Sequence, residues 1–259
     1  MYIDTHAHLN YDDNRFGDEN LLVQNIKNSG VEKVIVVGWD YLSSQKAKDF
    51  AYRHDGYYFA AGVHPSDISK ATQADYDGVR ALLKDKKAVA LGEIGLDYHY
   101  ENIDEKAQQN AFILQMEIAH SEKLPFIIHS RDATEDTLKI LKNNKNLLEY
   151  GAVMHCFSGS EETAKEYLKL NLYISFAGPV TFKNARRLDE VAKIVPSDKI
   201  LVETDSPYLA PVPFRGTLNT PCNIPIIVEK LAFLRGESVE KVAQNIYKNA
   251  HTLFFKMEN

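Results

Sequence analysis

The sequence predicts a (β/α)8 barrel of the TIM type, with residues 1–259 forming a single domain. Short apolar or β-branched runs alternate with helical patterns eight times along the chain, which is typical of a parallel sheet with crossover helices. The length of 259 residues suits one such barrel. An open, doubly wound sheet is the alternative that the same alternation permits.

Eight runs are predicted to be strands because they are almost continuously apolar, as are strands buried on both faces of a parallel sheet. They are Tyr2–Thr5, Val31–Val37, Tyr57–Val63, Ala88–Ile94, Pro125–Ile128, Gly151–Met154, Leu172–Phe176 and Ile200–Glu203. Strands of this kind lie inside the molecule, between layers of helices.

Helical segments separate these strands. The segment Glu19–Asn28, for example, carries Leu22, Val23 and Ile26 at helical spacing, and Gly30 follows as a stop. The others are Ser43–His54, Asp75–Leu83, Ile103–Glu122, Ala133–Lys142, Ser160–Lys169, Asn184–Ile194, Ile224–Leu234 and Ser238–Phe255. One long irregular stretch remains, the proline-rich Ser206–Asn223. Loops of this length usually carry or cover a site.

The composition indicates a globular protein, with 44% hydrophobic and 25% charged residues. The net charge of −6 argues against a broadly basic surface that coats nucleic acid. A local phosphate site stays compatible with that charge because bound metal ions reverse the local field. The two cysteines lack paired spacing, which favours a reducing compartment over a disulfide framework.

The same sequence predicts a cytoplasmic location. Met1 leads directly into the first predicted strand, without a basic start followed by an apolar signal region. No apolar stretch approaches the length of about 18 residues that a membrane span needs. We therefore expect no contact with a membrane, and no obligate protein partner is evident.

The first predicted strand leads into two histidines separated by one residue. Because alternate residues of a strand point to the same side, His6 and His8 can aim their imidazoles at one point. Neutral imidazole is a frequent ligand of divalent metals. A single histidine at a strand end is more often a core or capping residue, so the rest of the chain must supply further ligands.

Six candidate metal ligands lie at the C-terminal ends of predicted strands, and these ends converge on one face of a barrel. They are His6, His8, Glu93, His129, His155 and Asp205. Glu93 and Asp205 stand among apolar residues, where an unpaired carboxylate would be very costly. The set predicts a two-metal site in which Glu93 bridges ions about 3.5–4 Å apart. Glu203 would face the same way as Asp205 but deeper, in a supporting role.

Six motifs in this order resemble the TatD family of metal-dependent deoxyribonucleases, which belongs to the amidohydrolase-like barrels. The resemblance extends from residue 4 to about residue 225. The motifs are His6-x-His8, Val63-His64-Pro65, Gly92-Glu93-Ile94-Gly95-Leu96-Asp97-Tyr98, His129-Ser130-Arg131, His155-Cys156-Phe157-Ser158-Gly159 and Glu203-Thr204-Asp205-Ser206-Pro207-Tyr208. Glu93 occupies the place where many relatives in the wider barrel group carry a modified lysine, which favours the TatD branch.

The resemblance implies two divalent ions per chain. One would be held by His6, His8, Glu93 and Asp205, and the other by Glu93, His129 and His155. On the substrate side the expected residues are His64, Asp97, Arg131 and Arg215. For Arg215 a phosphate contact and a surface salt bridge are equally expected. Histidine ligands suit Zn²⁺, Mn²⁺, Fe or Ni²⁺, whereas the family is usually associated with Mg²⁺, which prefers oxygen.

These assignments lead to a mechanistic hypothesis. The chain would be a hydrolase that cleaves DNA phosphodiester bonds, as a 3′-5′ exonuclease on single strands. Two ions held together by Glu93 would lower the pKa of a water molecule, and Asp205 would take its proton as general base. His64 and Arg131 would stabilise charge on the phosphate, and His64 is a candidate to protonate the leaving oxygen.

Two other functions compete with this one. A hydrolase of the same barrel group that acts on a small amide, lactone or phosphoester would need a closed pocket, whereas a nuclease needs an open cleft. A metal-binding protein without activity would have a coordinatively full site. Six aromatic residues near the predicted site face either stack on bases of a single strand or pack the loops; they are Tyr98, Tyr100, Phe157, Phe182, Tyr208 and Phe214.

Overall fold

The computed structural model describes residues 1–101 and 103–257, and its eight strands form one parallel sheet in chain order. The strands are β1 Tyr2–Ala7, β2 Val31–Val37, β3 Tyr57–Ala61, β4 Ala88–Asp97, β5 Phe126–Arg131, β6 Ala152–Met154, β7 Tyr173–Phe176 and β8 Ile200–Val202. Asn102, Glu258 and Asn259 of the predicted domain lie outside the described residues, and its bounds at 1 and 259 stay a prediction.

The segment that directly follows β8 pairs with β1 and closes the sheet. Ala7 forms a parallel bridge with Ser206. The Asp205 amide donates to the His6 carbonyl at 2.9 Å, and the His8 amide donates to the Ser206 carbonyl at 2.7 Å. These bonds join the last strand to the first, so the predicted (β/α)8 barrel is confirmed and the open doubly wound sheet is not what the chain forms.

Nine α-helices are present among the described residues, and most begin where a side chain caps the first turn. They are α1 Glu19–Asn28, α2 Tyr41–Arg53, α3 Gln73–Leu82, α4 Glu105–Ser121, α5 Thr134–Asn143, α6 Glu161–Lys169, α7 Arg186–Ile194, α8 Ile224–Arg235 and α9 Val239–Leu253. Helix α2 starts two residues before the predicted Ser43 because the Asp40 carboxylate accepts from the Ser43 amide. Helix α8 ends at Arg235, because Gly236, with a φ of 62°, follows as its C-cap.

Strands β4 and β5 continue beyond their predicted ends at Ile94 and Ile128. Their pairing extends to Asp97 and Arg131. Gly95 permits this, because its φ is +138° and a Cβ there would lie 2.0 Å from the His129 carbonyl oxygen. The two strands were predicted from runs of apolar residues. Such a run ends at the first polar residue, even where the hydrogen bonding between the strands continues.

Short 3₁₀ turns account for most of the structure that the sequence reading missed. They are Pro65–Lys70, Lys145–Leu148, Gly178–Thr181 and Pro221–Asn223. The last lies within the stretch Ser206–Asn223, which otherwise lacks helices and strands, as predicted. Turns of three to six residues carry too few positions for a periodic pattern to show.

Two of the sequence predictions concern membrane-spanning helices and disulfides. Within residues 1–101 and 103–257, no helix combines the length and the apolar character that crossing a membrane requires. Both cysteines, Cys156 and Cys222, are free thiols. The absence of a disulfide agrees with their unpaired spacing in the sequence.

Gln115 of α4 replaces a strand partner for the chain just beyond β3. Its amide oxygen accepts from the Val63 amide at 2.8 Å, and its amide nitrogen donates to the Val63 carbonyl at 2.9 Å. The side chain is buried, with 1% of its surface exposed. Both backbone groups of Val63 therefore depend on one side chain, and Val63 directly precedes His64.

We expect Gln115→Leu to lower the free energy of unfolding, because it leaves two buried backbone groups without partners, each costing about 1–3 kcal/mol. Urea denaturation followed by circular dichroism measures the change. The exposed Gln73 of α3 supplies the control, and Gln73→Leu should change the free energy by less than about 0.5 kcal/mol. Equal effects of the two substitutions would contradict the role assigned to Gln115.

Candidate metal centre

The structure brings all six predicted ligands together at the C-terminal end of the barrel. Two come from β1 and its continuation, and the others come from β4, β5 and the segments that follow β6 and β8. Their ligand atoms form two groups that share the carboxylate of Glu93. The distances between ligand atoms in each group show whether its residues fit a metal ion.

The first group consists of His6 Nε2, His8 Nε2, Glu93 Oε2 and Asp205 Oδ1. The two nitrogens are 3.2 Å apart. His6 Nε2 lies 3.4 Å from Glu93 Oε2 and 3.8 Å from Asp205 Oδ1, and His8 Nε2 lies 3.6 Å from each of those oxygens. Ligands about 2.1 Å from a tetrahedral ion lie roughly 3.4 Å apart. The separations therefore fit a divalent ion in the middle of the group.

The second group consists of Glu93 Oε1, His129 Nδ1 and His155 Nε2. The carboxylate oxygen lies 2.8 Å from His129 Nδ1 and 2.7 Å from His155 Nε2, and the two nitrogens are 3.1 Å apart. Ligands at right angles around an ion, about 2.1 Å from it, lie roughly 3.0 Å apart. This group is tighter than the first, and its donors also fit a divalent ion.

The second nitrogen of three of these histidines contacts an acceptor that orients the ring. His8 Nδ1 lies 2.8 Å from the Val37 carbonyl, so it carries the proton and leaves Nε2 free to bind a metal. Asp97 Oδ2 lies 3.1 Å from His129 Nε2, and Glu203 Oε1 lies 3.1 Å from His155 Nδ1. His6 differs, since its buried Nδ1 has no hydrogen-bond partner among the described residues.

Sequence reasoning missed the contact between Asp97 and His129. Asp97 is buried, and its other oxygen accepts from the His99 amide at 3.0 Å. Strand alternation was the available signal, because residues 93 and 97 of one strand face the same side. The contact gives Asp97 a positioning role toward His129, and the predicted substrate role of Asp97 stays a prediction. Glu203 makes the kind of supporting contact that the sequence predicts for it.

The charge of Glu93 is balanced by its neighbours. Burial alone would raise the pKa of its carboxyl, but the charge of His155 and hydrogen bonds from His129 and His155 hold that pKa well below its usual value. Burial lowers the pKa of His155, and Glu93 and Glu203 outweigh it and raise the pKa well above its usual value. Glu93 is therefore an ionised carboxylate that directs one oxygen at each group.

His64 lies beside the second group as a neutral imidazole. Its Nε2 is 3.6 Å from Glu93 Oε1, and its Nδ1 accepts from the Ser66 amide at 3.1 Å. The proton of the neutral ring is therefore on Nε2, which faces the centre. Burial is the main cause that lowers its pKa to about 4. His64, Glu93 and His129 also form a set that could hold an ion.

Arg131 lines a cavity together with the ligand His155, whereas Arg215 packs on Phe182. The Arg131 guanidinium is exposed and 5.8 Å from the centroid of the Tyr100 ring. The Arg215 guanidinium lies 4.4 Å from the centroid of the Phe182 ring. Within the described part of the chain, no carboxylate lies within 4 Å of Arg215. The surface salt bridge that was the alternative for Arg215 is therefore not formed there.

The aromatic residues near the site divide by exposure. Tyr100, Tyr208 and Phe214 are exposed, whereas Phe157 is buried in the core and cannot stack on a base. The sequence reading gave no role to Trp39, yet its ring centroid lies 5.5 Å from that of His8 in an edge-to-face arrangement, and it stacks on Tyr11 with the centroids 4.7 Å apart. The only signal for Trp39 was its place just after β2, because its partners are far away in the sequence.

Comparisons with known proteins agree with this geometry. A family model described as "TatD related DNase" matches residues 3–255. A Bacillus subtilis protein named "Uncharacterized metal-dependent hydrolase YabD" is 42% identical over 98% of this chain and 99% of its own length. An Erwinia billingiae protein named "3'-5' ssDNA/RNA exonuclease TatD" is 36% identical over 92% of this chain and 93% of its own length. The crystal structure of YjjV, a TatD homologue from Escherichia coli, superimposes with a TM-score of 0.92 at 30% identity and 98% coverage of both chains.

We expect a divalent ion to raise the melting temperature of the wild-type protein. The same ion should leave the melting temperature of Glu93→Ala unchanged, because Glu93 belongs to both ligand groups. An ion present at 100 times its dissociation constant stabilises the folded state by about 2.7 kcal/mol. Differential scanning fluorimetry with Zn²⁺, Mn²⁺ and Mg²⁺ measures the shift. The exposed Glu149 supplies the control, and Glu149→Ala should keep the full shift. An equal shift in Glu93→Ala would place the ion elsewhere.

Proposed function

The chain belongs to the TatD family of metal-dependent hydrolases, and we propose that it cleaves phosphodiester bonds of single-stranded DNA from the 3′ end. The carboxylate of Glu93 carries this proposal, because its two oxygens face two separate groups of ligands. A carboxylate placed in this way suits a two-metal phosphodiesterase. The name of the Erwinia relative, a 3'-5' ssDNA/RNA exonuclease, supports a nucleic-acid substrate.

Two divalent ions per chain are part of the proposal. His6, His8 and Asp205 would hold one with Glu93 Oε2, and His129 and His155 would hold the other with Glu93 Oε1. Four imidazole nitrogens among the donors favour Zn²⁺, Mn²⁺, Fe or Ni²⁺ over Mg²⁺, which prefers oxygen. We therefore propose that a transition metal binds more tightly than Mg²⁺, whichever ion supports turnover.

The bound ions would neutralise phosphate charge and lower the pKa of a water molecule. Asp205 is placed to accept a proton. Burial raises the pKa of its carboxyl, but the neighbouring imidazoles of His8, His155 and His6 outweigh it and lower the pKa. Asp205 is therefore ionised near neutral pH. We assign it the role of general base.

The sequence made His64 a candidate to protonate the leaving oxygen. We propose a different role for it. A group with a pKa of about 4 is almost entirely unprotonated near neutral pH. The neutral ring still presents its Nε2 proton to the centre, 3.6 Å from Glu93 Oε1. We propose that His64 donates this hydrogen bond to a phosphate oxygen, with Arg131 contributing positive charge from the rim.

The shape of the centre favours a polymer over a small substrate. His155 and Arg131 border a cavity of about 690 Å³ that extends away from the ligand groups. A hydrolase for a small amide, lactone or phosphoester would enclose its substrate more fully. Membership of a hydrolase family rules out the reading of a metal-binding protein without activity. The predicted cytoplasmic location and the absence of an obligate partner stay predictions.

We expect elemental analysis of the purified protein, loaded with Zn²⁺ and desalted, to give two ions per chain. His8→Ala and His155→Ala should each retain one, because each removes a ligand from a different group. His120→Ala, on the outer surface beside Glu149, supplies the control and should retain two. A single equivalent in the wild-type protein would contradict the two-ion centre.

The decisive assay is incubation with single-stranded DNA labelled at its 3′ or 5′ end, in the presence of each candidate ion. We expect stepwise loss from the 3′ end, and a decrease in rate of about 10²–10⁴-fold in Asp205→Asn, as removal of a general base predicts. Asp198→Asn, at the exposed segment before β8, is the matched control and should keep the wild-type rate.

Two outcomes would contradict the proposal. Undiminished cleavage by both Asp205→Asn and Glu93→Ala would show that the reaction does not use this centre. A wild-type protein that leaves DNA intact with every ion, yet hydrolyses a small ester or amide, would assign it to the alternative class of hydrolase.

A further inference from the structure

A groove leads away from the metal centre across the segments that follow β6 and β7. Its inner part, the cavity of about 690 Å³, begins at His155 and Cys156 and reaches Ser158 and Arg187. A second cavity of about 490 Å³ is lined by the same Ser158 and Arg187 and continues to Phe182. Because the two cavities share lining residues, they form one continuous surface, which we call the exit groove.

The eight arginines of the chain divide into two sets by their partners. Four form ion pairs with carboxylates, and the pairs are Arg15–Asp13, Arg53–Glu19, Arg80–Glu122 and Arg235–Glu237. In the last three pairs the arginine nitrogen lies 2.7 Å from the carboxylate oxygen. The other four have no carboxylate within 4 Å in residues 1–101 and 103–257, and all four are exposed; they are Arg131, Arg186, Arg187 and Arg215.

The four unpaired arginines gather along the exit groove. Arg131, Arg186 and Arg187 line its cavities, and Arg215 packs over the ring of Phe182, which lines the outer cavity. Among residues 1–101 and 103–257, Asp132 is the one carboxylate that lines either cavity, and it is paired with His99 at 2.9 Å. In a chain with 36 acidic and 30 basic residues, this concentration of free guanidinium groups makes the groove locally positive.

The composition of the groove matches a polynucleotide strand. Guanidinium groups bind phosphates through two parallel hydrogen bonds. Phe182 adds a half-buried aromatic ring backed by Arg215, and aromatic rings of this kind stack on bases without regard to sequence. Cations at several points and a ring at the outer end suit a ligand with repeated phosphates and bases, rather than one phosphate.

We propose that the exit groove binds the nucleotides adjoining the scissile bond, with Arg186 and Arg187 on successive phosphates and Phe182 under a base. This inference rests on the proposed nuclease function and deepens it, since it makes strand length a determinant of affinity. Arg187 is the central contact, because it lines both cavities. We therefore expect a dinucleotide to occupy the metal centre without reaching the outer cavity.

The test measures binding of fluorescein-labelled oligodeoxythymidylates of two, four and eight nucleotides by anisotropy. Asp205→Asn with Zn²⁺ bound serves as the background, so that the strand is not degraded. Adding Arg187→Gln should weaken binding of the eight-nucleotide strand roughly 10-fold, the effect of losing one charge-assisted hydrogen bond. It should also reduce the slope of log affinity against log salt by about 0.7.

Arg80→Gln is the matched control, because Arg80 is paired with Glu122 and lines neither cavity of the groove. Adding Arg80→Gln to Asp205→Asn should change neither the affinity for the strand nor the slope of log affinity against log salt. A loss in Arg187→Gln that grows with strand length supports the exit groove. An equal loss on two and eight nucleotides would place Arg187 at the scissile phosphate and overturn the proposal, as would no difference from Arg80→Gln.

Failure of the groove can be told apart from failure of the nuclease function. If the wild-type protein degrades labelled DNA while Arg187→Gln binds long strands like the background, only the groove proposal is wrong. If the wild-type protein neither binds nor degrades DNA of any length but hydrolyses a small ester, the nuclease function itself is wrong, and the groove proposal falls with it.

Discussion

Closure of the barrel between its last and first strands is the constraint on which the centre depends. The bonds from the Asp205 amide to the His6 carbonyl and from the His8 amide to the Ser206 carbonyl join the two ends of the sheet. Beneath them, the buried Asp4 carboxylate accepts from the amides of His6 and Thr204. The same few residues therefore close the fold and place three ligands of the first group, so this group cannot assemble before the barrel does.

Charge compensation explains why so many ionisable groups are tolerated in an apolar barrel. A buried carboxylate such as Glu93 is costly unless it is paired, and His129 and His155 contact its Oε1 at hydrogen-bond distance. Behind those histidines stand two further carboxylates, Asp97 and Glu203. Acid and imidazole thus alternate outward from Glu93. A divalent ion that replaced the protons between them would preserve the balance, so the network suits metal binding and folding alike.

The ligands could be read from the sequence because each is a polar residue that interrupts or ends an apolar run, and a barrel brings such residues to one face. The contacts behind them could not be read in the same way. The pairing of Asp97 with His129 depends on continued pairing of β4 and β5 past Ile94, which Gly95 permits by lacking a Cβ. The place of Trp39 against His8 and Tyr11 depends on loop packing, which leaves no periodic signal.

The distribution of charge reconciles an acidic protein with a phosphate polymer. The net charge of −6 disfavours broad contact with a duplex. In the described part of the chain, thirteen of the 30 lysines and arginines form ion pairs with carboxylates, as Arg53 does with Glu19, and a paired cation contributes little field at a distance. Among the described residues, the guanidinium groups along the exit groove have no carboxylate within 4 Å, and they adjoin the metal centre, where bound ions would add further positive charge. A positive groove in a negative surface would admit a flexible single strand and repel a rigid duplex, which is the selectivity that the proposed exonuclease on single strands would require.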